Sequence, residues 1–335
     1  MTSSLVGSEM CIRDRYYISQ LKGSIIMPLF NYINKAKNYI KTYGLIKGIK
    51  EIINRKNNKD KALKELNEFL PKVEETVKPV LSNYKDQSIK NFTDDQKNIF
   101  VFWWDGFDSA PQLVKDCYNS VEKNYGKDFK IYKVDKTNYK ELSDMDEFFI
   151  NKFNNKKITI QTFSDILRFK LINKLGGVWI DSTVLINKPL NLLSDLKDYG
   201  FITAITNNTS AFINYDGVTC SWSSFFIGGS KDNPLFSCLL DCYKYYLSNT
   251  KEIPTYFLID ILLTLCKKYK IGDNILNKYT KINVKFDIFY LSEHLSNKVT
   301  SKEKENMNKM TIQKLNWRID INKIKKDRLY FECLK

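Results

Sequence analysis

The sequence predicts an α/β fold: a mostly parallel sheet flanked by helices, preceded by an N-terminal helical extension. Three observations carry that expectation. IFVFWW, Ile99 to Trp104, is a short continuous apolar run, which a strand needs when both its faces are covered. Further runs of this kind recur along the chain, separated by stretches with helical spacing, the alternation that builds layered α/β domains. Of 335 residues, 43% are hydrophobic, enough for one sizeable core, alone or with a small accessory part.

Ser4 to Arg15, SLVGSEMCIRDR, reads as translated sequencing-adapter sequence. Residues 1–26 are therefore expected to be a non-native extension, with Met27 as the true start; they lack the apolar stretch and cleavage site of a secretory signal. Residues 27–94 are expected to form a basic amphipathic helical region. Leu29, Ile33, Ala36, Ile40, Tyr43, Ile46, Ile49 and Ile53 recur in steps of three and four, with lysines among them. Such a helix can lie on an anionic membrane. Equally, it can pack on the core as an ordinary helix broken at Gly44 and Gly48. Residues 60–90 continue as helix, punctuated by Pro71 and Pro79.

Residues 95–335 are expected to form the α/β domain. Its strands are placed at Ile99–Trp104, Phe129–Asp135, Val178–Ile186, Gly200–Thr206 and Ser223–Ser230. Helices are placed from Pro111 through Val121 and near 144–153, 162–175, 234–248 and 255–269. Gly176 and Gly177 end the helix before the third strand. The tail from Ser301 is Lys-rich and polar until LNWRIDI.

Charge is uneven along the chain. Residues 27–59 carry eight Lys/Arg against one acid, and residues 267–335 carry seventeen against eight, whereas 60–266 hold 25 bases and 27 acids. Basic ends attract phosphate as lipid headgroup, nucleotide or nucleic acid; an A/T-rich genome also inflates lysine without functional cause. Nucleic acid is the poorest of these, because the near-neutral middle has no recognisable binding motif. No apolar run is long enough to span a bilayer. Seven scattered cysteines and a single histidine, His294, argue against a zinc cluster and for reduced thiols in a cytosolic protein. Cys238 and Cys242 share a helix face but lack a second pair, and His294 is expected at the surface.

The stretch that carries chemistry is FSDILRFKLINKLGGVWIDSTV, Phe163 to Val184. Asp165 and Arg168, three apart, share one helix face. An aspartate there can accept hydrogen bonds from sugar hydroxyls, and an arginine can hold a sugar oxygen or phosphate with its planar fork. Asp181 ends the following strand, where open α/β sheets bind ligands. It can contact a ribose hydroxyl or hold a divalent cation that neutralises a diphosphate. The bland alternative is that Asp165 caps its helix and Arg168 merely pairs with it. Asp260, on the apolar helix TYFLIDILLTLC, either pairs with a base or lines the acceptor side, and Asp216 and Ser221–Ser224 are further acceptor candidates.

These residues resemble the DXD-type sugar transferases, including glycosyltransferase family 32, and most closely the capsular polysaccharide synthesis protein family. The likeness rests on FVFWWDG with SAPQLV, on ITIQTFSDILRFKLINKLGGVWIDSTV, and on WSSFFIGGSKDNPLF with TYFLIDILL, about residues 95–270. It implies a GT-A-like (Rossmann-like) fold, a nucleotide-sugar donor and transfer, with retention, to a glycan or lipid-linked glycan in surface polysaccharide assembly. By the same resemblance Trp103 stacks on the donor base, with Trp104 either beside it or in the core. Asp165 and Arg168 touch the donor sugar, and Asp181 is the first acid of the DXD motif. Thr183 stands where the second acid, normally the direct metal ligand, would be. Either Asp181 holds Mn²⁺ or Mg²⁺ with help from waters and phosphate, or the basic tail replaces the metal. Lys314, Trp317 and Arg318 in KLNWR resemble the segment that closes over the diphosphate; the alternative is a solvated tail. The implied location is cytoplasmic, peripheral on the inner membrane face. A rival expectation is a degenerate, non-catalytic scaffold, which the missing second acid favours.

Overall fold

The computed structural model describes residues 66–206, 214–215, 218–219, 222–250, 253, 255, 257–279, 283–284 and 286–335. The expectations for 1–26, for the helix at 29–53, and for Asp216 and Ser221 lie outside the described residues. Helix α1 covers 66–83 and runs through both Pro71 and Pro79, so the expected breaks do not occur. Pro79 lies on the exposed face, where water can take up the carbonyl a proline leaves without its donor.

After α1 come β1 (Asn98–Phe102), α2 (Gln112–Tyr125), β2 (Lys130–Val134), α3 (Tyr139–Ser143) and α4 (Glu147–Asn154). The central run is α5 (Ile160–Leu175), β3 (Gly177–Ile180) and β4 (Val184–Ile186), followed by α6 (Leu192–Tyr199) and β5 (Phe201–Thr203). The short strands β6 (Ile205–Thr206), β7 (Asn214–Tyr215) and β8 (Val218–Thr219) precede β9 (Phe226–Gly229). Helices α7 (Pro234–Asn249), α8 (Leu258–Lys268) and α9 (Ile271–Lys278) follow, then β10 (Asn283–Val284). The last elements are α10 (Tyr290–His294), α11 (Ser301–Lys309), β11 (Ile312–Lys314) and α12 (Leu329–Glu332).

The main sheet has the order β2-β1-β3-β9-β5. β1 pairs parallel with both β2 and β3, whereas β9 runs antiparallel to its neighbours β3 and β5. Four strands therefore point the same way, and the sheet is mostly parallel with helices around it, as the apolar runs predict. Every residue of β1, β3 and β9 is buried, the condition that makes such strands continuous apolar runs.

Helix α5 is the inner pillar. It packs on β1, β3 and β9 and on the flanking α7, so residues all round its circumference are buried. It ends at Gly176 (φ 67°), and Gly177 (φ 113°) starts β3. A Cβ on Gly177 would lie 2.2 Å from the Asn98 carbonyl oxygen, so the close approach of β3 to β1 needs glycine there.

The run Val178–Ile186 is not one strand. The Asp181 N–H still donates to the Phe225 carbonyl across the β3–β9 ladder (2.9 Å), and the Val184 N–H then turns back to the Asp181 carbonyl (2.9 Å). β4 thereby leaves the main sheet and pairs antiparallel with β11, with Lys314 opposite Val184. A second apolar cluster seats this pair: Leu113 and Cys117 of α2, Leu185 of β4, and Leu291, Met310, Leu315 and Tyr330 from the C-terminal region. The tail is thus a packed part of the domain, with Trp317 and Arg318 partly buried, rather than a solvated basic strand.

Candidate functional site

The site lies just past the C-terminal end of β3. Asp165 and Arg168 come from one face of α5, Asp181 from the residue after β3, Thr183 from the turn, and Lys314 from the end of β11. All five are buried, and Asp181 is the most accessible of them at 8%.

Arg168 is the connecting group. Its Nη1 donates to Asp165 Oδ1 at 2.6 Å, and its Nη2 donates to Asp181 Oδ1 at 3.3 Å. Trp179 Nε1 donates to the same Asp181 oxygen at 2.7 Å, and the Trp179 ring lies under the guanidinium at 4.9 Å. The other oxygen, Asp181 Oδ2, accepts from Lys314 Nζ at 2.8 Å, and that ammonium also donates to Thr183 Oγ1 at 2.7 Å. Two carboxylates and two cations form a buried quartet in which each charge faces an opposite one, the arrangement that makes buried charge tolerable.

The electrostatics follow from this geometry. Burial alone raises the Asp181 pKa. The charges of Lys314 and Arg168, with hydrogen bonds from Lys314 and Trp179, outweigh it and hold the carboxyl well below the usual carboxylate range. Asp181 is therefore an anion at any physiological pH. It can accept hydrogen bonds or orient cations, but it does not act as a proton donor.

Not every group at the site is satisfied. Arg168 Nε, Ser182 Oγ, Ser223 Oγ and Trp317 Nε1 are buried and have no hydrogen-bond partner among the described residues. Ser182 lies between Asp181 and Thr183 in the chain, and Trp317 follows Lys314 by three. Arg168 Nε belongs to the charged cluster itself, and an orphaned polar atom there is what a polar ligand would satisfy.

The two neighbouring tryptophans separate in role. Trp103 extends past β1 and meets Trp317 edge-to-face at 5.9 Å, with Arg318 over the Trp317 ring at 5.1 Å. Trp104 turns into a cluster with Tyr139, Phe153 and Phe163, which gives it a packing role. Asp260 accepts from Trp222 Nε1 at 3.1 Å. It thereby braces the segment that leads to Phe225, whose carbonyl holds the Asp181 backbone. Ser223 and Ser224 are buried in that same segment. His294 is partly buried, its Nδ1 2.7 Å from the Tyr290 carbonyl.

A divalent cation would be expected between Asp181 and Thr183. Both Asp181 oxygens and the Thr183 hydroxyl are already engaged, and the group between them is an ammonium. Among the described residues no cluster of three or more His, Cys, Asp or Glu side chains could hold a metal. The residues present do not fit Mn²⁺ or Mg²⁺ at this point, since a divalent cation there would repel Lys314 at contact distance.

Sequence reasoning missed Trp179, although its spacing of two from Asp181 puts both side chains on one side of an extended chain. It also missed Phe225 as the backbone acceptor for Asp181.

A family model described as capsular polysaccharide synthesis protein matches residues 48–333. Among solved structures, one titled PaToxG Glycosyltransferase is similar at 15% identity, covering 75% of this chain and 94% of that chain, with a TM-score of 0.34. No curated protein sequence matches.

Proposed function

The chain belongs to the capsular polysaccharide synthesis protein family, and from that premise we propose that it is a glycosyltransferase with a GT-A-like fold. It moves a sugar from a nucleotide-sugar donor to a glycan or lipid-linked glycan. The observation that carries this reading is the convergence of Asp165, Arg168 and Asp181 on one another at a strand end of a mostly parallel sheet. Asp165 and Arg168 orient the donor sugar through its hydroxyls, with the planar guanidinium held in place by its two carboxylate partners. Trp103, beside Trp317, offers a ring face for the base, and Arg318 and the unpartnered Trp317 Nε1 are donors for phosphate oxygens. Transfer with retention of configuration is part of the reading. It rests on family likeness alone, and NMR of the product anomer checks it.

Among the described residues no helix is long and apolar enough to cross a membrane. Peripheral contact with the inner membrane face, through the basic stripe at 29–53, is the corresponding proposal for location. It is supported by the spacing of that stripe in the sequence.

The test is incubation of the full chain with a panel of nucleotide sugars, measuring release of nucleoside diphosphate. Release from at least one donor is expected, with a drop of at least about tenfold in Asp165→Asn, the scale of one lost charge-assisted hydrogen bond. No release from any donor by folded protein rules the reading out. The near-complete burial of the quartet favours one alternative, a non-catalytic scaffold. A scaffold gives no calorimetric signal with nucleoside diphosphates, whereas the transferase does.

A further inference from the structure

The group that most needs explaining is Lys314. Its side chain is fully buried, yet it carries a charge into the one place in the fold where a DXD-type site would hold a metal. Three features make this a built position. Lys314 is held by its backbone on two sides: its own N–H donates to the Ile288 carbonyl at 2.7 Å, and the next N–H, of Leu315, donates to the Thr183 carbonyl at 2.8 Å. β11 pairs in register with β4, so the strand that carries the ammonium is locked to the strand that leaves the turn. The ammonium also meets both groups of the turn, Asp181 Oδ2 at 2.8 Å and Thr183 Oγ1 at 2.7 Å.

We propose that Lys314 is the resident cation of the transfer reaction, taking the place of a divalent metal, so that transfer proceeds without one. This rests on the glycosyltransferase reading above. In the step, the bond between the sugar C1 and the diphosphate oxygen breaks, and its electron pair stays on that oxygen. The acceptor hydroxyl oxygen bonds to C1, and its proton passes to the departing diphosphate. Lys314 keeps its own protons throughout. It turns toward the diphosphate the donation now made to Thr183 Oγ1, a neutral acceptor and less costly to give up than the Asp181 carboxylate. A cation fixed before the reaction needs no reorganisation as charge develops, which is what makes such groups effective.

The experiment uses the full chain and the nucleotide-sugar panel, with excess EDTA or with added Mn²⁺. Wild-type turnover is expected to agree within about twofold between the two conditions. Lys314→Met, which keeps the aliphatic bulk, is expected to lower kcat by about 10²–10³-fold with KM little changed, the scale for losing one preorganised electrostatic donor. Circular dichroism and thermal melting establish whether that variant is folded; if it is not, the wild-type comparison alone decides. The double variant Thr183→Asp with Lys314→Met restores an acid and removes the ammonium. It is expected to bind Mn²⁺ by electron paramagnetic resonance in the presence of nucleoside diphosphate, whereas the wild type binds none above the level of Asp181→Asn. Turnover abolished by EDTA and restored by Mn²⁺ overturns this proposal and leaves the transferase reading standing. Absence of turnover under both conditions overturns both.

Discussion

Arg168 joins two carboxylates that lie on different elements, reaching Asp165 on its own helix and Asp181 thirteen residues on at the end of β3. A guanidinium can do this because its donors are fixed in one plane, and an ammonium cannot hold the same pair at the same spacing. Arg168→Lys should therefore keep the charge and lose the bridge. The expected result is a fall of at least about tenfold in kcat/KM, from losing about 1.5–3 kcal/mol of charge-assisted hydrogen bonding. Steady-state kinetics on the best donor of the panel read it, and an unchanged kcat/KM would show that the fork has no part in donor handling.

The lowered pKa of Asp181 makes a prediction about acid stability. Its folded pKa is depressed below the unfolded value. Its contribution to stability is therefore complete above the ordinary aspartate pKa of about 4 and is lost as pH falls from there through the folded pKa. Asp181→Asn removes the charge and leaves Lys314 and Arg168 facing each other without it. The difference in urea midpoint between wild type and Asp181→Asn should be constant from about pH 8 to 5 and should shrink below about pH 4. A difference that stays constant to pH 3 would show that the charge of Asp181 is not what stabilises the cluster.

Much of this cluster was legible in the sequence. Asp165 and Arg168 could be placed together because helical spacing is local, and Asp181 because a glycine pair and an apolar run mark where a strand begins and ends. Lys314 could be named only through family likeness. Its contact with Asp181, 133 positions away, depends on β11 pairing with β4, and no local periodicity encodes a pairing at that range. The break of Val178–Ile186 at Asp181 was hidden for a related reason. The residues on both sides are strand formers, and the turn is closed by the Val184 N–H on the Asp181 carbonyl, after which β4 pairs with the distant β11. Trp103 and Trp104 could be expected to face opposite ways, but only the tertiary aromatic cluster decides which one is core.

Trp179 offers a cleaner dissection of Asp181 than any change to a charge. Trp179→Phe keeps an aromatic ring under Arg168 and removes the N–H that donates to Asp181 at 2.7 Å. A hydrogen bond to a charged group contributes about 1.5–3 kcal/mol, so a loss of that order in urea unfolding is expected, some of it from the smaller ring. A double-mutant cycle with Asp181→Asn separates the two parts. The coupling energy should be at least about 0.5 kcal/mol if the hydrogen bond carries the effect, and near zero if only packing does.

Gly177 tests whether the site depends on the closeness of β3 to β1. Its φ of 113° is a conformation that side chains rarely adopt, and an added Cβ would meet the Asn98 carbonyl oxygen at 2.2 Å. Gly272 supplies the control. It too has a positive φ, 59°, but an added Cβ there meets nothing nearer than 3.4 Å. Gly272→Ala should therefore lose only the left-handed strain, about 1–2 kcal/mol. Gly177→Ala should lose about 1–3 kcal/mol from strain and more from the collision with β1, which nothing flexible can relieve. Urea unfolding of the two variants compares them directly. Asp181 follows Gly177 by four residues on the same strand path, so the shift should also lower turnover in any Gly177→Ala protein that remains folded, while Gly272→Ala keeps wild-type turnover. Equal stability losses in the two variants would mean that β3 can move away from β1 at little cost, and that the position of Asp181 is not set by that contact.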